Sequence, residues 1–432
     1  MQIILLSGGS GKRLWPLSNE IRSKQFIKIF ETNTGHESML QRVLKQIYKV
    51  LPQAELTVST SETQKKILRK YVGCDVGISV EPCRRNTFPA IALTAAYLHE
   101  VKKINEEEPI VICPVDPYVN DDYFATFKKM ADLVDEANLV LMGIAPTYPS
   151  EKYGYIIPSS KENVSTVLEF KEKPNAQKAS DYIKRGGLWN GGVFACKLSY
   201  ILEKSRENFK TDSYSELLKI YSELPNISID YAVVEHEQDV KVVRYSGDWK
   251  DVGTWNTLTE VMSEQSIGKV YFDKACENSH VINETDMPII AMGLKNIVVA
   301  AGSDGILVAD KVQSSYIKPL AENIHEEIRY AEKSWGTYQV IDIGKESLTI
   351  KVILTAGNKM NYHSHNYRDE VWNFVEGSGR VNLNGEIKSV RAGDIVKIPA
   401  GVKHTVFAET NLKIIEVQIG KDITVEDKIL WS

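Results

Sequence analysis

The first twenty-six residues constrain this chain more than any other stretch. An apolar run, Ile3-Ile4-Leu5-Leu6, breaks into Ser7-Gly8-Gly9-Ser10-Gly11-Lys12-Arg13, then Leu14-Trp15-Pro16-Leu17, then Lys24-Gln25-Phe26. A short continuous apolar run bounded by glycines reads as a strand buried on both faces. Gly8, Gly9 and Gly11 let the backbone turn tightly and bring its N–H groups close to an anion. Lys12, Arg13 and Lys24 add the positive charge that a polyphosphate needs. The segment points to phosphate chemistry at the front of an α/β domain, where ligands bind beyond the strand ends. Two common glycine signatures fail. The P-loop needs Gly, four residues and Gly-Lys-Ser/Thr, but position 6 is Leu and Arg13 follows Lys12; the dinucleotide pattern fails because residues 12–17 hold no glycine.

Composition sets the outer bounds. A chain of 432 residues exceeds one compact core, so two or three domains are expected. The hydrophobic and charged fractions, 43% and 25%, are those of a globular protein. A net charge of −5 gives no basic face for nucleic acid, and no apolar run reaches membrane-spanning length. The five cysteines (74, 83, 113, 196 and 276) are scattered, suggesting neither a disulfide framework nor a cysteine zinc site. With a strand-like start in place of a signal peptide, the expectation is a reduced, cytoplasmic protein.

Up to about residue 260, strand-like and helical runs alternate. Strands are expected at 56–60, 110–114 and 139–144, and helices at 63–71, 87–103 and 124–137, giving a mostly parallel sheet covered by helices. Residues 270–318 are rich in Val and Ile and lack helical period, suggesting a β-rich connector; 320–333 is charged and reads as a helical linker. From Trp335 onward, strand-turn-strand patterning spells a small all-β barrel.

The pattern G-G-S-G-x-R-L-W-P-L-S resembles the sugar-nucleotide pyrophosphorylases, and most closely the mannose-1-phosphate guanylyltransferase family. The resemblance implies a Rossmann-like nucleotidyltransferase domain over 1–262, a short left-handed β-helix connector over 263–320, and a linker plus cupin over 321–432. It also implies a reaction in which a sugar-1-phosphate attacks the α-phosphorus of GTP, with Mg²⁺, and releases pyrophosphate. In that reading Gly8, Gly9, Gly11, Lys12 and Arg13 surround the β- and γ-phosphates, and Lys24 reaches the α-phosphate, although the family's preceding Pro is Ser23 here. Arg85, Asn86 and Thr87 match the E-P-x-x-R-N-T motif near the nucleotide; Thr87 is also a plausible helix cap. Asp116 (in Pro-Val-Asp) and Asp251 (in Trp-Lys-Asp-Val-Gly-Thr-Trp) match the two carboxylates that share the Mg²⁺. On the sugar side, Gly154, Glu172, Lys173, Asn190 and Asp230 fall in matched motifs: Tyr-Gly-Tyr-Ile, Phe-Lys-Glu-Lys-Pro, Trp-Asn-Gly-Gly and Ser-Ile-Asp-Tyr-Ala-Val.

The barrel carries its own constellation. Gly357, His363, His365, Glu370 and Gly377, then Gly393, Pro399, Gly401 and His404, fall at the spacing of the two cupin half-motifs. Residues two apart on a strand face the same way, so His363 and His365 point into the barrel together. Glu370 and His404 complete three nitrogens and one oxygen around a divalent ion; Zn²⁺, Mn²⁺, Fe²⁺ and Ni²⁺ all suit this set. The barrel resembles a type II phosphomannose isomerase, whose signature reads Q-x-H-x-H-R-A-E-H-W. Here Asn361 replaces the Gln, Val371 replaces the last His, and Asn366 and Tyr367 are extra between the His pair and Arg368. Three alternatives stand beside GDP-mannose synthesis from GTP and mannose-1-phosphate. The first is a bifunctional enzyme that also isomerises mannose-6-phosphate and fructose-6-phosphate. The second is the same transfer to another sugar, and the third a non-catalytic sugar-nucleotide sensor. A homodimer is expected by analogy alone.

Overall fold

The structure is a computed structural model describing all residues except 10, 74, 325–327, 422, 424–426 and 432. Ser10 and Cys74, both named above, lie outside the described residues. Contacts divide the chain into two units. One holds Met1–Gly11 and Ser23–Glu264; the other holds Lys12–Arg22 and Gln265–Ser432.

The first unit is built on one nine-stranded sheet. Its strands are β1 (Gln2–Leu6), β2 (Glu55–Ser61), β3 (Gly77–Glu81), β4 (Pro109–Pro114), β5 (Leu139–Ile144), β6 (Tyr155–Pro158), β7 (Val164–Lys171), β8 (Leu188–Lys197) and β9 (Val240–Tyr245), in spatial order β3-β2-β1-β4-β8-β5-β9-β7-β6. Ile3, Ile4 and Leu5 are 0% exposed, so the opening apolar run is a central strand covered on both faces. The expected parallel arrangement holds for β3-β2-β1-β4 and for β5 with β9. It fails elsewhere: β8 runs antiparallel between β4 and β5, and β6 and β7 form an antiparallel pair. For β6 and β7 the reason is chain length. Only residues 159–163 join β6 to β7, which suffices for a hairpin and not for a parallel crossover. The helix at Thr87–Ala96 is buried on nearly every side and continues as a π-helical turn, Tyr97–Val101. The helix expected at 124–137 lies at Asp121–Ala131, displaced towards the N-terminus by the extended Asn120 that precedes it.

The second unit combines connector and barrel. Ser266–Ile267, His280–Asn283 and Ile297–Gly302 pair in parallel, as do Val270–Phe272 and Ile289–Ala291. Each strand thus lies beside the one a coil later, around Val281, Ala291 and Val299. The Lys12–Arg22 segment packs here. Side chains at Gly302 and Gly305 would strike Leu17 and Trp15 within 2.8 and 2.5 Å, so both glycines are required for that fit. Buried Arg22 forks onto Glu284 at 2.6 and 2.8 Å, and Asn19 donates to Asp304 at 2.7 Å. The linker is not the single helix expected: among its described residues only Lys318–Glu322 is helical, and Tyr330–Lys333 becomes a strand because Gly336–Gln339 offers it an antiparallel partner. The barrel has a six-stranded and a five-stranded sheet around Trp372, Phe374, Leu354, Leu412 and Val406.

Candidate active site and metal centre

A cleft of about 380 Å³ opens at the carboxyl ends of β1 to β4. Ser7, Gly8, Gly9, Ser59, Glu81, Arg84, Asn86, Thr87 and Asp116 contribute to its lining. The glycine-rich loop is held from behind by two buried amides. Gln25 donates to the Ser7 carbonyl at 2.9 Å, Gln64 donates to the Gly9 carbonyl at 3.2 Å, and Gln25 also donates to Gln64 at 3.2 Å. Lys24 pairs with Asp116 at 3.0 Å. A two-stranded ladder, Pro117–Val119 against Trp249–Asp251, sets Asp251 opposite Pro117. Residues 116 and 251, far apart in sequence, are therefore brought close along the backbone by one register.

Not all of the expected nucleotide-side residues line this cleft. Arg85 turns away from the cleft and donates to the Ser222 carbonyl, while its neighbour Arg84 lines the cleft. Thr87 lines the cleft, and its Oγ1 accepts from the Ile229 N–H at 3.0 Å, holding the start of a neighbouring helix. Asn86 occupies the left-handed region (φ 69°) and caps the Thr87 helix through Oδ1. Lys12 opens the short turn Lys12–Leu14 in the second unit, where its ammonium lies 3.5 Å from Glu20; Arg13 is exposed. Gly11 takes φ 63°, which explains the glycine.

Sequence reasoning gave Glu81 no role. It is 5% exposed, accepts from Tyr221 Oη at 2.7 Å, and its Oε1 lies 3.0 Å from where a Gly8 Cβ would stand. Burial lifts its carboxyl to about 7, against the pull of Tyr221 and Arg84. The available signal was a carboxylate at the carboxyl end of a buried strand.

The five sugar-side residues do converge. A Cβ at Gly154 would fall 2.5 Å from Glu172 Oε2, so glycine allows that carboxylate its place. The Gly154 carbonyl accepts from the Asn190 N–H at 2.8 Å, and Asn190 Nδ2 donates to Asp230 at 2.7 Å. Lys173 pairs with the buried Glu172. Burial first, and then the Glu172 charge, raise the Asp230 carboxyl to about 6. Tyr155 Oη ties this wall together, accepting from Trp189 Nε1 at 3.0 Å and from the Ser150 N–H at 2.8 Å.

In the barrel, His363, His365 and His404 gather within the reach of one ion: one ring nitrogen from each lies within 4.8 Å of the others. Glu370 approaches His365 and His404 at 3.0 and 3.3 Å. All four are 1–2% exposed. Each ring faces a backbone carbonyl through Nδ1: Asn361 at 2.7 Å, Asp427 at 3.2 Å and Val402 at 2.9 Å. A carbonyl only accepts, so Nδ1 carries the proton and Nε2 presents a lone pair to the centre, the tautomer that metal ligation needs. His404 Nε2 is buried with no hydrogen-bond partner. Burial drives the His363 imidazole down to about 2, keeping it neutral. Donor set, tautomers and the unpaired nitrogen all fit a divalent ion. The surrounding cavity, about 470 Å³, also exposes Arg368, Lys428, Lys333, Glu416 and Gln418.

The fold and its clefts define a nucleotidyltransferase unit joined to an isomerase-type cupin, and similarity to known proteins agrees. The chain belongs to the nucleotidyl transferase family, whose model matches residues 2–266; a model for the mannose-6-phosphate isomerase C-terminal domain matches 321–431. Similarity runs the full length of named relatives. A mannose-1-phosphate guanylyltransferase of Salmonella montevideo is 29% identical over 99% of this chain and 98% of its own length. Mannose-1-phosphate guanylyltransferase RfbM of Salmonella typhimurium is 31% identical, covering 99% and 95%. Xanthan biosynthesis protein XanB of Xanthomonas campestris is 31% identical, covering 99% and 97%. Among solved structures, one titled mannose-1-phosphate geranyltransferase from Thermus thermophilus superposes with a TM-score of 0.64 at 28% identity, over 75% of this chain and 99% of its own. No helix among the described residues is long and apolar enough to cross a membrane.

Proposed function

We propose that this protein transfers GMP from GTP to mannose-1-phosphate, giving GDP-mannose and pyrophosphate. The observation that carries this reading is the strand register that sets Asp251 opposite Pro117, beside Asp116 and its partner Lys24. Two carboxylates and a lysine at the edge of a glycine-lined cleft suit in-line attack on a phosphorus. Glu172 and Lys173 hold the sugar phosphate, the carboxylate accepting from hydroxyls and the ammonium donating to phosphate. Asn190 and Asp230 hold further hydroxyls. Lys24 neutralises charge on the α-phosphate as the sugar phosphate oxygen attacks and pyrophosphate leaves. Asp116 and Asp251 would hold Mg²⁺, which supplies charge neutralisation across the phosphates. Glu81 reads the base: guanine offers N1–H and N2–H donors to a carboxylate, whereas adenine offers an acceptor at N1. The test is pyrophosphate release across a matrix of nucleoside triphosphates and sugar-1-phosphates with Mg²⁺. Release confined to GTP with mannose-1-phosphate supports the reading; release with another sugar corrects the substrate.

A second activity is favoured by one observation: despite the two extra residues, Glu370 faces His365 and His404 at 3.0 and 3.3 Å. The barrel would bind a divalent ion and interconvert mannose-6-phosphate and fructose-6-phosphate; a coupled assay on the full chain measures this directly. The connector would wind as a left-handed β-helix between functional parts at 1–262 and 321–432. Homodimerisation and cytoplasmic residence belong to the same proposal by analogy with the family; sedimentation of the purified chain tests the dimer.

A further inference from the structure

Compared with the isomerase motif, Asn366 and Tyr367 are extra residues between His365 and Arg368. An insertion of two inside a strand pair would normally displace everything after it, carrying Glu370 away from the histidines. It does not, and the reason lies sixty residues downstream. Asp427 is 6% exposed. Its Oδ1 accepts from the Asn366 N–H at 2.8 Å and its Oδ2 from the Tyr367 N–H at 3.2 Å. Both backbone donors of the insertion are therefore satisfied by one buried carboxylate, and the two residues fold out as a turn. The chain re-enters its strand at Arg368, opposite Gly420; a side chain there would strike the Tyr367 carbonyl within 2.4 Å. The same Asp427 acts on the ligand itself, because its backbone carbonyl faces His365 Nδ1 at 3.2 Å. The strand that follows, Lys428–Leu430, pairs with His363–His365 and keeps that carbonyl in register.

We infer that Asp427 is a positioning residue for the barrel's metal centre: it folds the Asn366-Tyr367 insertion aside and fixes His365 with its Nε2 lone pair toward the ion. This rests on the reading that the histidine cluster holds a divalent metal. It goes beyond that reading by assigning the ligand geometry to a residue outside both half-motifs, which acts in place of the shorter spacing.

The test is Co²⁺ titration of the full-length protein, following the visible absorption bands that report ligand number. Wild type is compared with Asp427→Ala, Asp427→Asn and Asp427→Ala lacking Asn366 and Tyr367. Displacing an outer hydrogen-bond partner, here the Asp427 carbonyl once its side chain no longer ties it to Asn366 and Tyr367, costs roughly 10- to 100-fold in metal affinity. Asp427→Ala is expected to weaken Co²⁺ binding by that amount. Asp427→Asn, with one accepting oxygen, falls between. Removing the two inserted residues restores binding in the alanine background. A second readout is the His365 ring tautomer in metal-free Asp427→Asn, read by long-range nitrogen–proton NMR. A mixture of tautomers is expected, and wild-type purity argues against the assignment. Nucleotidyl transfer and far-ultraviolet circular dichroism serve as folding controls. Wild-type Co²⁺ affinity in Asp427→Ala would overturn the role of Asp427. Absence of Co²⁺ and Zn²⁺ binding by the wild-type protein would instead overturn the metal reading on which it stands.

Discussion

The sugar-side cluster of the sheet unit and the histidine cluster of the barrel are both polar, but they are held differently. In the first, charged groups hold one another: Lys173 pairs with Glu172, Lys24 with Asp116, and Asn190 bridges to Asp230. The two lysine side chains remain 50% and 17% exposed, so a ligand can replace these pairings. In the second, each imidazole is fixed by a backbone carbonyl and all are 1–2% exposed. Groups that pair with each other can re-pair with a passing substrate; groups locked by the main chain suit a resident ion. The difference fits the proposed roles of a turnover site and a metal centre.

That contrast can be broken by substitution. Asp251→Asn should have the largest effect, lowering the rate of pyrophosphate release on the order of 10²–10³-fold with unchanged circular dichroism. A near-normal rate would remove Asp251 from the reacting centre. His404→Ala should abolish Zn²⁺ retention in the barrel, measured by elemental analysis, while nucleotidyl transfer continues. Loss of both would show that the locked centre also supports turnover. Lys173→Ala should raise KM for the sugar phosphate by roughly 10- to 100-fold, the loss of a charge-assisted hydrogen bond, and leave kcat less affected.

Smaller effects sharpen the picture of the nucleotide cleft. Burial lifts the Glu81 carboxyl to about 7, so if it reads guanine as proposed, KM for GTP should fall as pH rises through about 7. Glu81→Gln should flatten that profile relative to wild type, which separates it from ionisation of GTP itself. The sign for stability is opposite. A carboxyl raised above its unfolded value of 4.5 favours the fold below that pH, and the advantage is lost as pH rises through about 7. Smallest of all, Arg84→Ala should raise KM for GTP several-fold. Arg85→Ala should leave KM unchanged and cost about 1 kcal/mol of stability, read by denaturant melts, because its partner is the Ser222 carbonyl. A KM effect confined to Arg85→Ala would restore the reading made from sequence.

Much of this site was legible before the structure. The sugar-side residues converge as their motifs imply, and the His-x-His alternation delivers both rings to the barrel interior. What the sequence left unseen shares a pattern. Leu14-Trp15-Pro16-Leu17 helps define the opening motif, yet Trp15 and Leu17 serve as anchors against Gly305 and Gly302. Glu81 sat inside a quoted motif without a role, because its burial and its Tyr221 partner depend on contacts 140 residues apart. Thr87 reads as a nucleotide-side residue or a helix cap, and its hydroxyl also holds Ile229, 142 residues away.

Local sequence alone determined the central strands, the tight glycine turns and the identity of the charged groups, since apolar runs, positive φ and chemical type are properties of a few consecutive residues. Tertiary structure decided which neighbouring arginine faces the cleft, which way β8 runs, and how an insertion in the barrel is absorbed by Asp427. Those outcomes depend on hydrogen-bond partners and packing surfaces supplied from distant segments, and a buried polar group takes whichever partner the fold brings within reach.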